Sequence, residues 1–243
     1  GGARGGRGGV SRPSSSASGS ILLLPSSRQL SARVGSLALC FAWLLSSFLY
    51  FGLVLLTPAL LMHDGGDDGG GGGGGGGIFR LSAAYYTRAL LATIGELPGL
   101  LIATAAIDRL GRRDTAALCA LLAALALGAL ALSQDALGEA RHGTHIRSLR
   151  LVVLCITRAC ALGSYSALYV LTAETHPTVW RVTAFGVCSS CSRLGGVLTP
   201  YVAGALWRSL PKTALATYAV AAAAVALVLR LVEETGRRPL YDQ

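Results

Sequence analysis

From residue 34 onward the chain alternates long runs of Ala, Leu, Val and aromatic residues with short polar interruptions. An α-helix needs about 20 predominantly apolar residues to cross the hydrocarbon core of a bilayer. Six runs meet that length: 34–62, 85–107, 115–133, 151–173, 182–207 and 213–232. The pattern predicts an all-α membrane protein with six transmembrane helices, embedded in a lipid bilayer and multi-pass. Most connections are short. The exception begins "HDGGDDGGGGGGGGG", and the stretch 63–79 is expected to be a flexible, solvent-exposed loop.

Composition supports the same class. Of 243 residues, 52% are hydrophobic and 14% charged, with a mean hydropathy of +0.56. A soluble domain is typically about a quarter charged. There is no Asn, which excludes an N-glycosylation sequon. The opening "GGARGGRGGVSRPSSSASGS" makes 1–33 a Gly/Arg/Ser-rich segment that is expected to be disordered and part of a longer chain. Its two Arg-Gly-Gly copies lack the aromatic residues on which bases stack, so no nucleic acid partner is expected. The six cysteines, Cys40, Cys119, Cys155, Cys160, Cys188 and Cys191, all fall in apolar runs. Cys188 and Cys191 form a C-x-x-C without a second pair or a nearby His. Buried free thiols are therefore expected, not a metal or redox site, and no cofactor is implied.

Orientation follows from Lys and Arg near the ends of the runs. Six runs place both termini on one side, with Arg4, Arg7, Arg12, Arg28, Arg33, Arg109, Arg112, Arg113, Arg181, Arg230, Arg237 and Arg238. The other side has Arg80, Arg141, Arg147, Arg150, Arg208 and Lys212, together with the acidic Gly-rich insert. The bias makes the first side cytoplasmic, including the tail 233–243. Without the five N-terminal Arg it narrows to seven against six.

The runs differ in their interiors. Glu96, Arg158 and Arg193 lie within the second, fourth and fifth, and Ser46, Ser47 and Tyr50 lie within the first. The third and sixth are nearly pure Ala, Leu and Val. A charge deep in a bilayer is costly and normally faces protein interior or water. The four polar runs are therefore expected to line a cavity and the other two to face lipid, a three-plus-three pattern typical of repeat-built transporters.

Three segments then carry a resemblance. They are "GELPGLLIATAAIDRLGRRDT", "ITRACALGSYSALYVLTAETHPTVWRVTAFGVCSSCSRLGGVLTPY" and "EETGRRPL". In this order and at these spacings the chain, from about residue 34 to its end, resembles the C-terminal half of a major facilitator superfamily transporter. It is most similar to the organic ion transporter and synaptic-vesicle-2-related branch, with sugar porters more distant. The resemblance implies one six-helix half of a twelve-helix fold. It implies a secondary transporter that works by alternating access on a small organic solute, with an N-terminal six-helix half as partner and a proton or sodium ion as a possible coupling ion. Asp108, Arg109, Gly111, Arg112 and Arg113 match the family's D-R-x-G-R-R turn. Glu174, Pro177 and Arg181 match E-x-x-P-T-x-x-R. Glu234, Thr235, Gly236 and Arg237 match the terminal E-T-x-G-R element, with Glu233 where Pro is common and a spacer missing before Gly236. By resemblance, Asp108, Arg109, Gly111, Arg112, Arg113, Glu174, Arg181, Glu234 and Arg237 form a cytoplasmic gate whose ion pairs latch the two halves.

The same resemblance makes Glu96, Arg158 and Arg193 substrate-binding candidates, with Tyr165, Tyr50 and Tyr201 beside them. The family has a recurring acid–Arg couple at the Glu96 and Arg158 positions. Depth points elsewhere. Glu96 and Arg193 each lie twelve residues from the inner charges Asp108 and Arg181, about 18 Å, while Arg158 lies sixteen from Glu174, about 24 Å. The partner of Glu96 stays open between Arg158 and Arg193. One Glu cannot neutralise two Arg, and related anion carriers tend to have Arg at the Arg193 position. An organic anion or zwitterion is the expected solute, with a sugar or organic cation carrier, or a non-transporting remnant, as alternatives. An intramembrane hydrolase would need a Ser–His pair or paired carboxylates in the membrane. His63, His142, His145 and His176 are all expected in loops, so no enzyme is predicted.

Overall fold

The computed structural model describes residues 27–64, 83–136 and 144–232. The Gly-rich insert, most of 1–33 and the tail with Glu234 and Arg237 lie outside the described residues. Those described form helices: α1 (Ser27–Asp64), α2 (Ala83–Ile94), α3 (Glu96–Leu110), α4 (Arg112–Ala136), α5 (Thr144–Thr175), α6 (Thr178–Pro200), a π-helical stretch (Tyr201–Leu206), α7 (Trp207–Ser209) and α8 (Pro211–Leu229). Five stretches are long and apolar enough to cross a membrane: Val34–Leu61, Tyr85–Leu110, Arg112–Gln134, Ser148–Thr175 and Pro211–Leu229. The fifth expected run is helical but outside this set. Its helix α6 carries Arg181, Ser189, Ser190, Ser192 and Arg193.

The helix breaks have local causes. The second run, expected to be continuous, splits into α2 and α3 at Gly95. Pro98 has no N–H to donate to the Ile94 carbonyl, so the ladder lapses one turn earlier. Pro177 ends α5, because the residue before a proline is driven from the helical region. Helix α6 restarts at Thr178, four residues earlier than expected. Pro200 likewise removes a donor, and the helix widens into the π stretch directly after it. Leu210 (φ −143°, ψ 77°) leaves the helical region before Pro211, which opens α8 at a position where a missing N–H costs nothing.

Gly111 makes the reversal between α3 and α4. Its φ of 98° and ψ of 164° lie in a region almost closed to other residues. Its N–H closes α3 on the Ile107 carbonyl at 3.1 Å, and its own carbonyl accepts from the Thr115 N–H at 3.2 Å.

The helices form two layers. One runs α3, α5, α1, α6 side by side, with α2 against α5 and α1. Behind it α4 and α8 pack on each other and on α5 and α1. The apolar core fills the space between the layers. Towards one end it holds Leu49, Leu53, Leu56, Leu127, Leu215 and Tyr218. Towards the other it holds Leu39, Trp43, Leu168, Leu171, Val225 and Leu229. The outer sides of α4 and α8 leave Leu121, Leu122, Leu125, Val220 and Leu227 exposed. The third and sixth runs, nearly pure Ala, Leu and Val, thus form this second layer.

Candidate functional site

Two stripes of small residues position the buried charges. Gly95, just before α3, and Gly99 and Ala103 on it recur every four residues, as do Cys155, Ala159 and Gly163 on α5. They meet in order. A side chain at Gly95 would touch Cys155, one at Gly99 would run into Ala159, and one at Gly163 would press on Ala103. Small residues let helices in a membrane approach closely. Because the pairing advances in the same direction on both helices, α3 and α5 run parallel. Glu96 follows Gly95 and Arg158 precedes Ala159, so the two charges arrive side by side.

They form an ion pair between Arg158 Nη2 and Glu96 Oε1. Both residues are buried, 8% exposed at Glu96 and 6% at Arg158. Arg158 Nη1 also donates to Thr57 Oγ1 at 2.9 Å and to the Leu53 carbonyl at 3.5 Å. That turn of α1 is weakened by Pro58, which cannot donate to the Val54 carbonyl. The Tyr50 side chain, on the same helix, lies beside Glu96. The arginine therefore ties α5 to both α3 and α1.

Aromatic residues continue the site. Tyr50 stacks with Tyr165 at 6.1 Å between ring centroids. Tyr165 meets Tyr169 edge to face at 5.3 Å, and Trp43 meets both. The Trp43 indole N–H donates to Thr172 Oγ1 at 2.9 Å, which fixes the ring. Tyr165 Oη lies 2.9 Å from Ser192 Oγ on α6. Arg193, next in sequence, is exposed and forms no ion pair among the described residues. The open pairing of Glu96 is thus decided for Arg158. Tyr201 stands apart on the π stretch, 70% exposed.

Depth alone misled because the helix ends are not level. In the register set by the small residues, Asp108 of α3 aligns with Leu168 of α5. Glu174 stands six residues past it, about 9 Å. Measured from a common level, Glu96 and Arg158 are nearly at the same height. Arg193 is excluded laterally, since α6 packs on α1 while α3 lies beyond α5.

A second cluster forms at the end bearing Gly111 and Pro177. Arg112 Nε donates to Glu174 Oε1 at 3.0 Å, joining α4 to α5. Arg113 pairs with Asp114 at 3.0 Å and donates to the Val232 carbonyl at 3.3 Å. That carbonyl lies just past the end of α8, where a cation is favoured. Asp108 and Arg109 are exposed. The Nε of Arg181 is buried with no hydrogen-bond partner among the described residues. Glu174 thus pairs with a cation of the described helices.

Several residues were not singled out by sequence. Thr57 was signalled only by its place before Pro58. Arg150, counted among the loop charges, is 6% exposed inside α5 and donates to the Ser133 carbonyl at 3.4 Å. With Arg88 it lines a cavity of about 20 Å³, room for one water. The histidines are not all in loops, since His63 falls in the last turn of α1 and His145 in the first of α5. Ser36 and His176 do meet, 3.2 Å apart. His176 Nδ1 lies 3.1 Å from the Thr172 carbonyl, which can only accept, so that nitrogen donates, and in the neutral ring Nε2 accepts from Ser36. The imidazole is spent as a helix cap, with no carboxylate among the described residues orienting it. Of the six cysteines only Cys188 is fully buried; the others are half-buried.

Residues 91–243 match the sugar (and other) transporter family. The chain is similar to the synaptic vesicle 2-related protein of Xenopus laevis, 33% identical over 84% of this chain and 37% of that protein. It is also similar to organic cation/carnitine transporter 7 of Arabidopsis thaliana, 30% identical over 65% of this chain and 29% of that protein. Solute carrier family 22 member 7 of Bos taurus is 33% identical over 60% of this chain and 25% of that protein. The chain spans between a quarter and little more than a third of the length of these curated relatives. It belongs to the sugar (and other) transporter family, the major facilitator type of multi-pass integral membrane transporter.

Proposed function

We propose that this chain forms the C-terminal six-helix half of a twelve-helix carrier that moves a small organic anion, or a zwitterion with a carboxylate, by alternating access. In this reading the more polar α6 is the sixth span. The layer α3, α5, α1, α6 is one wall of the cavity, and a second six-helix unit supplies the other. The single observation that carries the solute class is the charge balance on that wall. Glu96 is taken up by Arg158, while Arg193 is exposed and forms no ion pair among the described residues. The Tyr50, Tyr165 and Tyr169 rings lie beside Ser192, next to Arg193, and offer a surface for an apolar or aromatic body. A carboxylate on Arg193 with its body on that wall satisfies both.

The end bearing Gly111 and Pro177 faces the cytoplasm in this reading. The Arg112–Glu174 pair braces the half internally. Arg181, with an unpartnered Nε, is the group left to engage the second half. An organic cation carrier is the second reading, favoured by the name of one relative.

The test is uptake of a radiolabelled organic carboxylate and a labelled organic cation by the chain joined to an N-terminal six-helix half. Arg193→Ala removes a charged hydrogen bond, about 1.5–3 kcal/mol, and is expected to weaken apparent anion affinity by about 10- to 100-fold. Anion uptake unchanged in Arg193→Ala, or cation uptake that survives while anions are ignored, overturns the anion assignment.

A further inference from the structure

The C-x-x-C of α6 reads in sequence as two inert thiols, yet the third cysteine it meets comes from another helix. Cys188 Sγ lies 3.7 Å from Cys40 Sγ on α1. Cys191, one turn further along α6, is also within reach of Cys40. Helices α1 and α6 are held close here. Ser47 Oγ donates to the Ser192 carbonyl at 2.6 Å, and a side chain at Gly195 would run into the Leu44 carbonyl and the Ser47 hydroxyl. Cys40 and Cys188 lie one helical level from that contact. Both line a cavity of about 240 Å³, with Ser36, His176, Trp180 and Thr183 around it. Peroxide-sized molecules fit such a space.

We propose that Cys40 and Cys188 are a reversible oxidation site that staples α1 to α6. The site is independent of the solute assignment. Hydrogen peroxide is the oxidant. The Cys40 thiol gives up its proton and its sulfur attacks one peroxide oxygen. An S–O bond forms, the O–O bond breaks, and the departing hydroxide takes a proton as water. Cys188 then attacks the Cys40 sulfenic sulfur. The S–S bond forms, the S–O bond breaks, and a second water leaves with the Cys188 proton. Two thiols are oxidised by two electrons and one peroxide is reduced to two waters. Closing the gap to a disulfide's length of about 2 Å takes an approach of under about 2 Å, within the reach of side-chain rotation. Cys40 is half-buried on the cavity, which makes it the first sulfur oxidised, and the buried Cys188 is the resolving one. His176 is not the base, since both ring nitrogens are already engaged.

The experiment uses unsolubilised membranes carrying the full chain, treated with hydrogen peroxide, alkylated, digested without reduction and read by mass spectrometry. The expected result is a cross-linked peptide pair joining Cys40 and Cys188, two hydrogens lighter than the free peptides. Alkylatable Cys40 and Cys188 should fall together, in equal amounts, and return with a thiol reductant. Cys40→Ser and Cys188→Ser should abolish the pair, and Cys191→Ser should keep it. Should a Ser variant fail to fold, the matched loss in the unaltered chain still decides. A bridge from Cys40 to Cys191, loss of Cys40 alone, or unchanged alkylation of both overturns the proposal.

Discussion

Arg158 shows most directly how a charge is tolerated inside this protein. Its two terminal nitrogens are engaged by Glu96, Thr57 and the Leu53 carbonyl, carried by two other helices, while its Nε has no hydrogen-bond partner among the described residues. Removing one partner of a buried pair strands the other charge, which typically costs about 3–5 kcal/mol. Arg158→Met should lower the thermal unfolding midpoint in detergent steeply, and Glu96→Gln on top of it should recover most of the loss. If the double variant unfolds as early as the single one, the pairing is not what makes Arg158→Met costly. Gly111 makes a separate argument at this scale. Its φ of 98° fits only glycine comfortably, so Gly111→Ala should destabilise by about 1–3 kcal/mol, read by the same unfolding midpoint. This residue was legible from the D-R-x-G-R-R turn. The pairing of Glu96 was not, because it depends on which helices are neighbours.

At the scale of the element, the join of α3 to α5 rests on smallness. Gly95, Gly99 and Ala103 face Cys155, Ala159 and Gly163 in register. Any added carbon at Gly99 meets the Ala159 side chain and backbone. Gly99→Ala should therefore cost about 1–3 kcal/mol by overpacking, and Gly99→Leu should part the helices and expose Glu96 and Arg158. Unfolding midpoints comparable with the unaltered chain for both variants would refute the close approach. The spacing of four on each helix is written in the sequence, but which two stripes face each other is not. Helix ends were read less well. Apolar runs report where a helix is greasy, so they missed the polar first turns of α5 and α6. Pro98 and Pro200 sit inside long runs, and their effect on the backbone appears as a lapse at Gly95 and a π stretch at Tyr201–Leu206. A Pro in a run signals a lost donor but not whether the helix stops, bends or widens.

At the scale of the whole molecule, two layers of helices leave one layer, α3–α5–α1–α6, carrying the polar residues. The Arg112–Glu174 pair at one end is partly exposed, with side chains 26% and 22% accessible. A pair of this kind contributes about 0–1 kcal/mol. Arg112→Glu should therefore leave the unfolding midpoint nearly unchanged while slowing transport in the joined twelve-helix protein, and Glu174→Arg added to it should restore the rate. A transport rate indifferent to both changes would show that the proposed brace plays no part in transport. Orientation is tested separately. Leu110→Cys and Ser209→Cys lie at exposed positions on opposite ends. An impermeant thiol reagent outside intact cells should label the cysteine at position 209 and spare that at position 110, and the reverse pattern would invert the proposed topology.

The sequence by itself determined the class: all-helical, membrane-length runs, two turns with recognisable chemistry, and the four runs that carry polar residues. Those are local properties, set by hydropathy over a helix length and by what Gly, Pro and charged side chains do to a backbone. Only the tertiary structure decided that Glu96 belongs to Arg158, that Arg150 is buried, that Glu174 grips Arg112 and that Cys188 meets Cys40. Each of these depends on lateral order and relative height of helices far apart in the chain. That order is set by which small surfaces fit together, and no single run carries the shape of its neighbour.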